Sequence, residues 1–174
     1  MDPPDRELVC DARNGNVAAF ATLYERYYRL AVGLARCRLR DMHLAEDVAQ
    51  EAFAIACRDL TKLRKPEMFS QWLGTICRHT ASQLASRRLD LEVSTELTES
   101  KERRQATEDR LDIDSALRQL DELSREVVVL HYFSELSHAE IATALGLSSA
   151  AVHGRLQRAR RKLARKLSSF GSPS

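Results

Sequence analysis

Helix breakers are scarce in this chain. Of its 174 residues only 6 are Gly and 4 are Pro, and two of the prolines, Pro3 and Pro4, stand together near the start. Long stretches therefore meet neither the missing donor of Pro nor the backbone freedom of Gly, which favours helices over turn-rich sheets. Cysteine is thin as well. Cys10, Cys37, Cys57 and Cys77 are widely spaced with no C-x-x-C pair, which argues against a disulfide framework or a zinc site. Cys37, Cys57 and Cys77 fall within helical patterns and read as small buried hydrophobes, so a reducing cytoplasm is the expected compartment. No apolar run reaches the roughly 18 residues of a membrane span. The opening MDPPDRELVC is acidic and has no apolar core, unlike a signal peptide. There is no Gly-rich phosphate loop and no G-x-S-x-G. None of the five histidines (His43, His79, His131, His138, His153) is paired with a nucleophile. Glu135-Leu136-Ser137-His138 is a single E-x-x-H, where a di-iron bundle needs two and further glutamates. No catalytic residue, metal, cofactor or small-molecule substrate is expected.

What is present is helical periodicity. Phe20, Leu23, Tyr24, Tyr27, Tyr28, Ala31 and Leu34 form one apolar stripe, which predicts a helix over about 16–39. A second helix is predicted from about Leu44 to Leu60, burying Val48, Ala49, Ala52, Phe53, Ala56 and Leu60. Glu46, Asp47, Gln50 and Glu51 gather on another arc of that helix. Thr61–Ser70 breaks the pattern at Pro66 and holds Lys62, Arg64 and Lys65. A third helix, about Ser70–Arg88, turns Trp72, Leu73, Ile76, Thr80 and Leu84 inward. Three helices suffice for one small bundle. Residues 89–110 then lose the apolar period and gain Ser, Thr and charge, as a flexible linker would. The expected fold is all-α: two small helical domains, 1–89 and 112–174, joined by an acidic linker over 90–111.

Charge follows the same division. Residues 1–88 hold 14 basic and 11 acidic side chains, 89–122 hold 5 and 11, and 123–174 hold 8 and 3. The overall +2 conceals two basic blocks around an acidic middle. In the last block Ser124 is a plausible N-cap for a helix to about Phe133. Ser137-His138-Ala139-Glu140 fits a capping box for a helix burying Ile141, Ala142 and Leu145. Gly146 suits a left-handed stop, and Ser148 can cap the next helix. Helix, short Gly-containing turn, second helix is a helix-turn-helix. On the second helix Val152, Leu156, Ala159, Leu163 and Leu167 face inward. From Ser149 to Leu167 there are seven Lys or Arg and no acid. A merely solvated face would alternate Lys with Glu, and a membrane-surface helix would carry Trp or Phe. The small residues Ser149, Ala150, Ala151 and Gly154 let the backbone approach a major groove, and the arginines from Arg155 onward can flank it on phosphates.

Two blocks together carry a resemblance. AEDVAQEAF (Ala45–Phe53) is followed by QWLGTICRH (Gln71–His79), and later comes REVVVLHYFSELSHAEIATALGLSSAAVHGRLQRARRKL (Arg125–Leu163). The chain resembles an extracytoplasmic-function (ECF) sigma factor of bacterial RNA polymerase over about residues 15–89 and 112–167. The resemblance implies binding to core RNA polymerase and promoter-specific initiation, with an N-terminal domain that recognises and melts the −10 element. Asp47, Gln50 and Glu51 match the family's polymerase-docking helix. Lys62, Arg64, Lys65, Gln71, Trp72, Arg78 and His79 fall on the −10 side, with Trp72 also suited to core packing. Arg87 and Arg88 would add backbone contacts. Ser149, Ala150, His153, Gly154, Arg155, Gln157, Arg158 and Arg161 fall on the −35 side, where His153, Gly154 and Gln157 stand at base-reading positions and Arg155 and Arg158 match typical arginines. Promoter DNA is thus an implied partner, duplex at −35 and melted at −10. An anti-sigma factor is another, because family members are often held by one.

There are departures. The family often has Asn at His79, Asp at Gln83, and Lys-Ser at His153-Gly154. These bear on promoter preference rather than fold. The competing class is a helix-turn-helix regulator that acts without replacing the sigma subunit. It would carry a receiver or ligand domain first, and the N-terminal block shows no period-2 strands. A pure interaction protein is disfavoured because the seven-base helix would attract DNA.

Overall fold

The computed structural model describes residues 3–39, 41–94 and 116–170, with side chains described outside 89–94 and 166–170. Its helices among the described residues are α1 (Asp5–Arg13), α2 (Val17–Arg36), α3 (Met42–Asp59), α4 (Phe69–Ser94), α5 (Glu122–Tyr132), α6 (His138–Leu145) and α7 (Ser149–Phe170). Two 3-10 turns, Leu60–Lys62 and Pro66–Met68, join α3 to α4. The fold is all-α, as the periodicity predicts.

α2, α3 and α4 pack on one another through the expected stripes. Leu23, Leu34, Phe53, Phe69 and Leu73 are each at most 2% exposed. Each such side chain contributes about 1.5–3 kcal/mol by leaving water. Phe53 seats its ring 4.6 Å from Tyr24 and 6.4 Å from Phe20. Cys77 is buried and Cys37 partly so, and burial pushes both thiols up to about 12. Cys57 departs from expectation and is exposed. It follows Ala56 by one residue, about 100° around α3, and so leaves the buried arc.

α1 lacks a predicted counterpart, since nine residues offer too short a stripe to stand out. It buries Leu8 and Val9. Asp5 pairs with Arg26 of α2 at 2.5 Å and accepts from Tyr27, whose hydroxyl is pushed up by burial and then by Asp5. α4 runs past Arg88 to Ser94, because Leu89-Asp90-Leu91-Glu92-Val93 contains no breaker. The remainder of the expected linker, 95–111, lies outside the described residues, as do 112–115 at the start of the expected second domain.

The helix-turn-helix follows its local signals closely. Ser137 Oγ accepts from Glu140 N at 3.2 Å, and Glu140 Oε2 accepts from Ser137 N at 2.8 Å. Gly146 takes φ +66° and ends α6, and Ser148 Oγ accepts from Ala151 N at 3.1 Å. One cap differs. Asp121, not Ser124, opens α5 by accepting from Ser124 N at 2.9 Å. Ser124 lies one turn inside, 7% exposed. Asp reaches the same orphan donors as Ser and adds a charge that the helix N-terminus favours.

The two halves pack on each other. The buried cluster is continuous from Leu8 through Ala81 to Leu120 and Ala159. α2 meets α5 and α4 meets α6 along one seam.

Candidate nucleic-acid interface

α7 presents the base-rich surface. Val152, Leu156 and Ala159 are each at most 2% exposed and bind the helix to α5 and α6. Ser149, Ala150, His153, Gln157, Arg158 and Arg161 are exposed, with Gly154 and Arg155 half-buried. These residues do not behave alike. Arg158 and Arg161 have no ion-pair partner among the described residues. Gly154 leaves room for Arg158, whose Nη1 would lie 3.4 Å from a Cβ there. Arg155 turns away to Asp121 Oδ1 and Ser124 Oγ, both at 3.4 Å. Arg160 donates to the Tyr132 hydroxyl and Lys162 to the Gln119 carbonyl. Gln157 Nε2 lies 2.9 Å from His153 Nε2, so the two side chains are held together on the exposed face. His153 stands 5.7 Å from the His138 ring, which stands 5.2 Å from His131. The open cations therefore lie along one side of α7, while its flanking bases hold the domain together.

The loop between α3 and α4 exposes Lys62, Arg64 and Lys65. Lys62 pairs with Asp59 at 3.1 Å. Leu63 and Phe69 anchor the loop, 5% and 0% exposed. α1 supplies a further anchor that the sequence does not reveal. Arg13 Nε donates to the Leu60 carbonyl at 3.1 Å, and Nη2 to the Leu63 carbonyl. A basic loop is thus held by a cation against its own backbone, which leaves its other charges outward.

α4 is different again. Trp72 is half-buried with its ring 6.2 Å from Phe69, in keeping with a packing role. His79 is exposed, as are Arg87 and Arg88. Gln71 and Arg78 are engaged. Gln71 Nε2 donates to the Thr143 carbonyl of α6 at 3.0 Å. Arg78 forks onto Glu126 of α5, Nε to Oε1 at 2.8 Å and Nη2 to Oε2 at 2.9 Å. Asp47, Gln50 and Glu51 are exposed on α3, away from α7 in sequence and on a different helix. Among the described residues no group of three or more His, Cys, Asp or Glu could hold a metal, and no helix is long and apolar enough to cross a membrane.

Known proteins align with this geometry. Sigma-70 region 2 matches residues 23–89 and sigma-70 region 4 matches residues 110–163. The RNA polymerase sigma factor CnrH of Cupriavidus metallidurans is 33% identical, covering 94% of this chain and 95% of that protein. The solved structure of CnrH in complex with the cytosolic domain of CnrY superposes with TM-score 0.63 at 32% identity, over 95% of this chain and 97% of that one. The ECF RNA polymerase sigma factor BldN of Streptomyces coelicolor is 33% identical over 92% of this chain. The chain spans 65% of BldN's length and 40% of that of a probable sigma factor, RfaY, of Xanthomonas campestris. Two sigma regions in this order, on an all-helical chain whose last helix is an open basic face, make this chain a member of the ECF RNA polymerase sigma factors.

Proposed function

We propose that the chain binds core RNA polymerase and directs it to promoters, with −10 melting by the N-terminal half and −35 major-groove readout by α7. The observation that carries this reading is the capped helix-turn-helix whose second helix keeps Arg158 and Arg161 open on an acid-free face. A helix of that width enters the major groove with its first turns at base edges and its cations at phosphates. His153, Gly154 and Gln157 would meet bases, and Arg158 and Arg161 phosphates, with Ser149 and Ala150 giving close approach. Arg155 would leave Asp121 to join them. Lys62, Arg64, Lys65, Gln71, Arg78 and His79 would meet the melted −10 strand, where positive charge and a stacking surface are needed, with Trp72 as support. The division into domains 1–89 and 112–174 belongs to the same reading.

Asp47, Gln50 and Glu51 form an exposed, acidic patch suited to a basic surface of the polymerase. An anti-sigma protein is a further partner, supported by the solved CnrH complex with the cytosolic domain of CnrY. The working place would be the cytoplasm, and the role that of a non-catalytic subunit. A regulator that leaves the sigma subunit in place is less well supported, since residues 23–89 match sigma-70 region 2.

Run-off transcription from a library of promoters with core enzyme and the purified chain tests this. Promoter-specific transcripts are expected. Transcripts that depend on a second sigma factor would overturn it. Asp47→Arg should weaken core binding about tenfold or more in a competition assay, as one attractive contact becomes repulsive, while duplex binding by the chain stays unchanged.

A further inference from the structure

The loop between α3 and α4 is held at both ends by α1, a helix that precedes residues 23–89 and so stands outside the stretch that matches sigma-70 region 2. Arg13 holds the first end. It is the last residue of α1, half-buried, and its partners are carbonyl oxygens rather than carboxylates. Nε donates to the Leu60 carbonyl at 3.1 Å and Nη2 to that of Leu63. Leu63 N also donates to the Leu60 carbonyl, at 3.3 Å. One guanidinium therefore spans the 3-10 turn Leu60–Lys62 and the residue that ends it. Its planar fork has fixed donors, so two carbonyls held at once are fixed in direction as well as distance.

The second end is reached through rings. Asp5 of α1 pairs with Arg26 and accepts from the Tyr27 hydroxyl, and the Tyr27 ring lies 5.6 Å from that of Phe69. Phe69 is wholly buried where the loop enters α4. Between the two anchors Leu63 turns in, 5% exposed, while Arg64 and Lys65 turn out. Lys62, Arg64 and Lys65 already crowd this loop, and a fourth cation adds repulsion. The carbonyl end of α3, whose C-cap is Leu60, offsets part of it. What results is a loop with a set shape and an excess of positive charge. Its ordering cost is met by α1 before any strand arrives, which is how a preorganised surface gains affinity.

We propose that Arg13 is a positioning residue for −10 recognition. From α1 it presets the α3–α4 loop, so that Lys62, Arg64 and Lys65 meet a melted strand in one arrangement. α1 thereby belongs to the −10 machinery without touching the strand. The inference rests on the −10 assignment of that loop.

The test uses holoenzyme assembled from core enzyme and the full chain. Arg13→Met keeps an unbranched, helix-favouring side chain and removes both donors. Arg13→Lys keeps the charge and a single donor group. The probes are a short single strand carrying the −10 element of a promoter recovered by run-off transcription, the same strand with that element scrambled, and a −35 duplex. Arg13→Met should lower affinity for the −10 strand about tenfold and its preference over the scrambled strand about threefold, because the competent fraction of the loop falls. Affinity for the −35 duplex should not change. Arg13→Lys should recover part of the preference. In the free chain, amide exchange at Leu63 and Met68 should speed up about tenfold in Arg13→Met, with the core amides of α2 and α3 unchanged, which separates a loosened loop from global unfolding. Should Arg13→Met fail to fold, Arg13→Lys against wild type carries the same comparison. Unchanged exchange at those two amides, equal preference in variants and wild type, or loss of −35 binding in step with −10 binding would each overturn the positioning role. A wild-type holoenzyme without preference for the −10 strand would overturn the −10 assignment of the loop, and this inference with it.

Discussion

Arg158 on α7 and Arg78 on α4 carry the same guanidinium on helices that both point to DNA by sequence. The molecule treats them in opposite ways. Arg158 is exposed and has no ion-pair partner among the described residues, whereas Arg78 is forked onto a carboxylate only 2% exposed. The difference comes from what each helix packs against. α7 rests on α5 and α6 through Val152, Leu156 and Ala159, with Arg155 and Arg160 bonded to α5 at its flanks, so its far side is left to solvent. α4 lies between its own bundle and the C-terminal helices, so its polar side meets protein. A charge run therefore reports a binding surface only where the opposite side of the helix already satisfies the fold.

The largest expected effect would break this comparison at its open end. Arg158→Glu with Arg161→Glu should cut −35 duplex affinity of the holoenzyme on the order of 100-fold, from two charge-assisted bonds of about 1.5–3 kcal/mol each. Electrophoretic mobility shifts at fixed salt would measure it, and loss of affinity for core enzyme as well would break the assignment. Next comes the engaged end. Arg78→Ala should lower stability of the free chain by about 3 kcal/mol in urea unfolding, because it strips a buried carboxylate of its main partner. Arg158→Ala should stay within about 0.5 kcal/mol of wild type. Equal costs would show that exposure does not separate the two.

The smallest effect sharpens the local frame that presents α7. Ser137→Ala should cost about 1 kcal/mol through the lost cap. Hydrogen bonds from Ser137 hold the Glu140 carboxyl below its ordinary range. A lowered folded value adds stability at neutral pH, and that stability is lost as pH falls through it. The variant should therefore lose less stability than wild type on acidification below about pH 4. An unchanged acid slope in thermal melts would show that the box is not closed in solution.

Much of this was legible because the signals are local. The stripe on α2, the capping box at Ser137 and Glu140, the stop at Gly146 and the cap at Ser148 each depend on residues within a turn or two. The exposed arc of α7 follows from period and composition. Misses arise where a short-range signal is weak or ambiguous. α1 has only two buried residues to announce it, Asp121 and Ser124 are both good caps, and Cys57 sits one residue from a buried Ala. Arg13 at the loop and Glu126 at the seam had no signal, since their partners lie 47 and 48 residues away.

By itself the sequence determined an all-helical chain, the helix-turn-helix with its caps, the acid-free basic face and the acidic arc of Asp47, Gln50 and Glu51. Periodicity and capping act within one helix, so they need no knowledge of the rest. Only the tertiary structure decided which cations are open. Among the described residues Arg158 has no ion-pair partner and Arg78 has one, because pairing requires a carboxylate delivered from a distant helix, and burial at the seam makes that pair strong enough to compete with solvent.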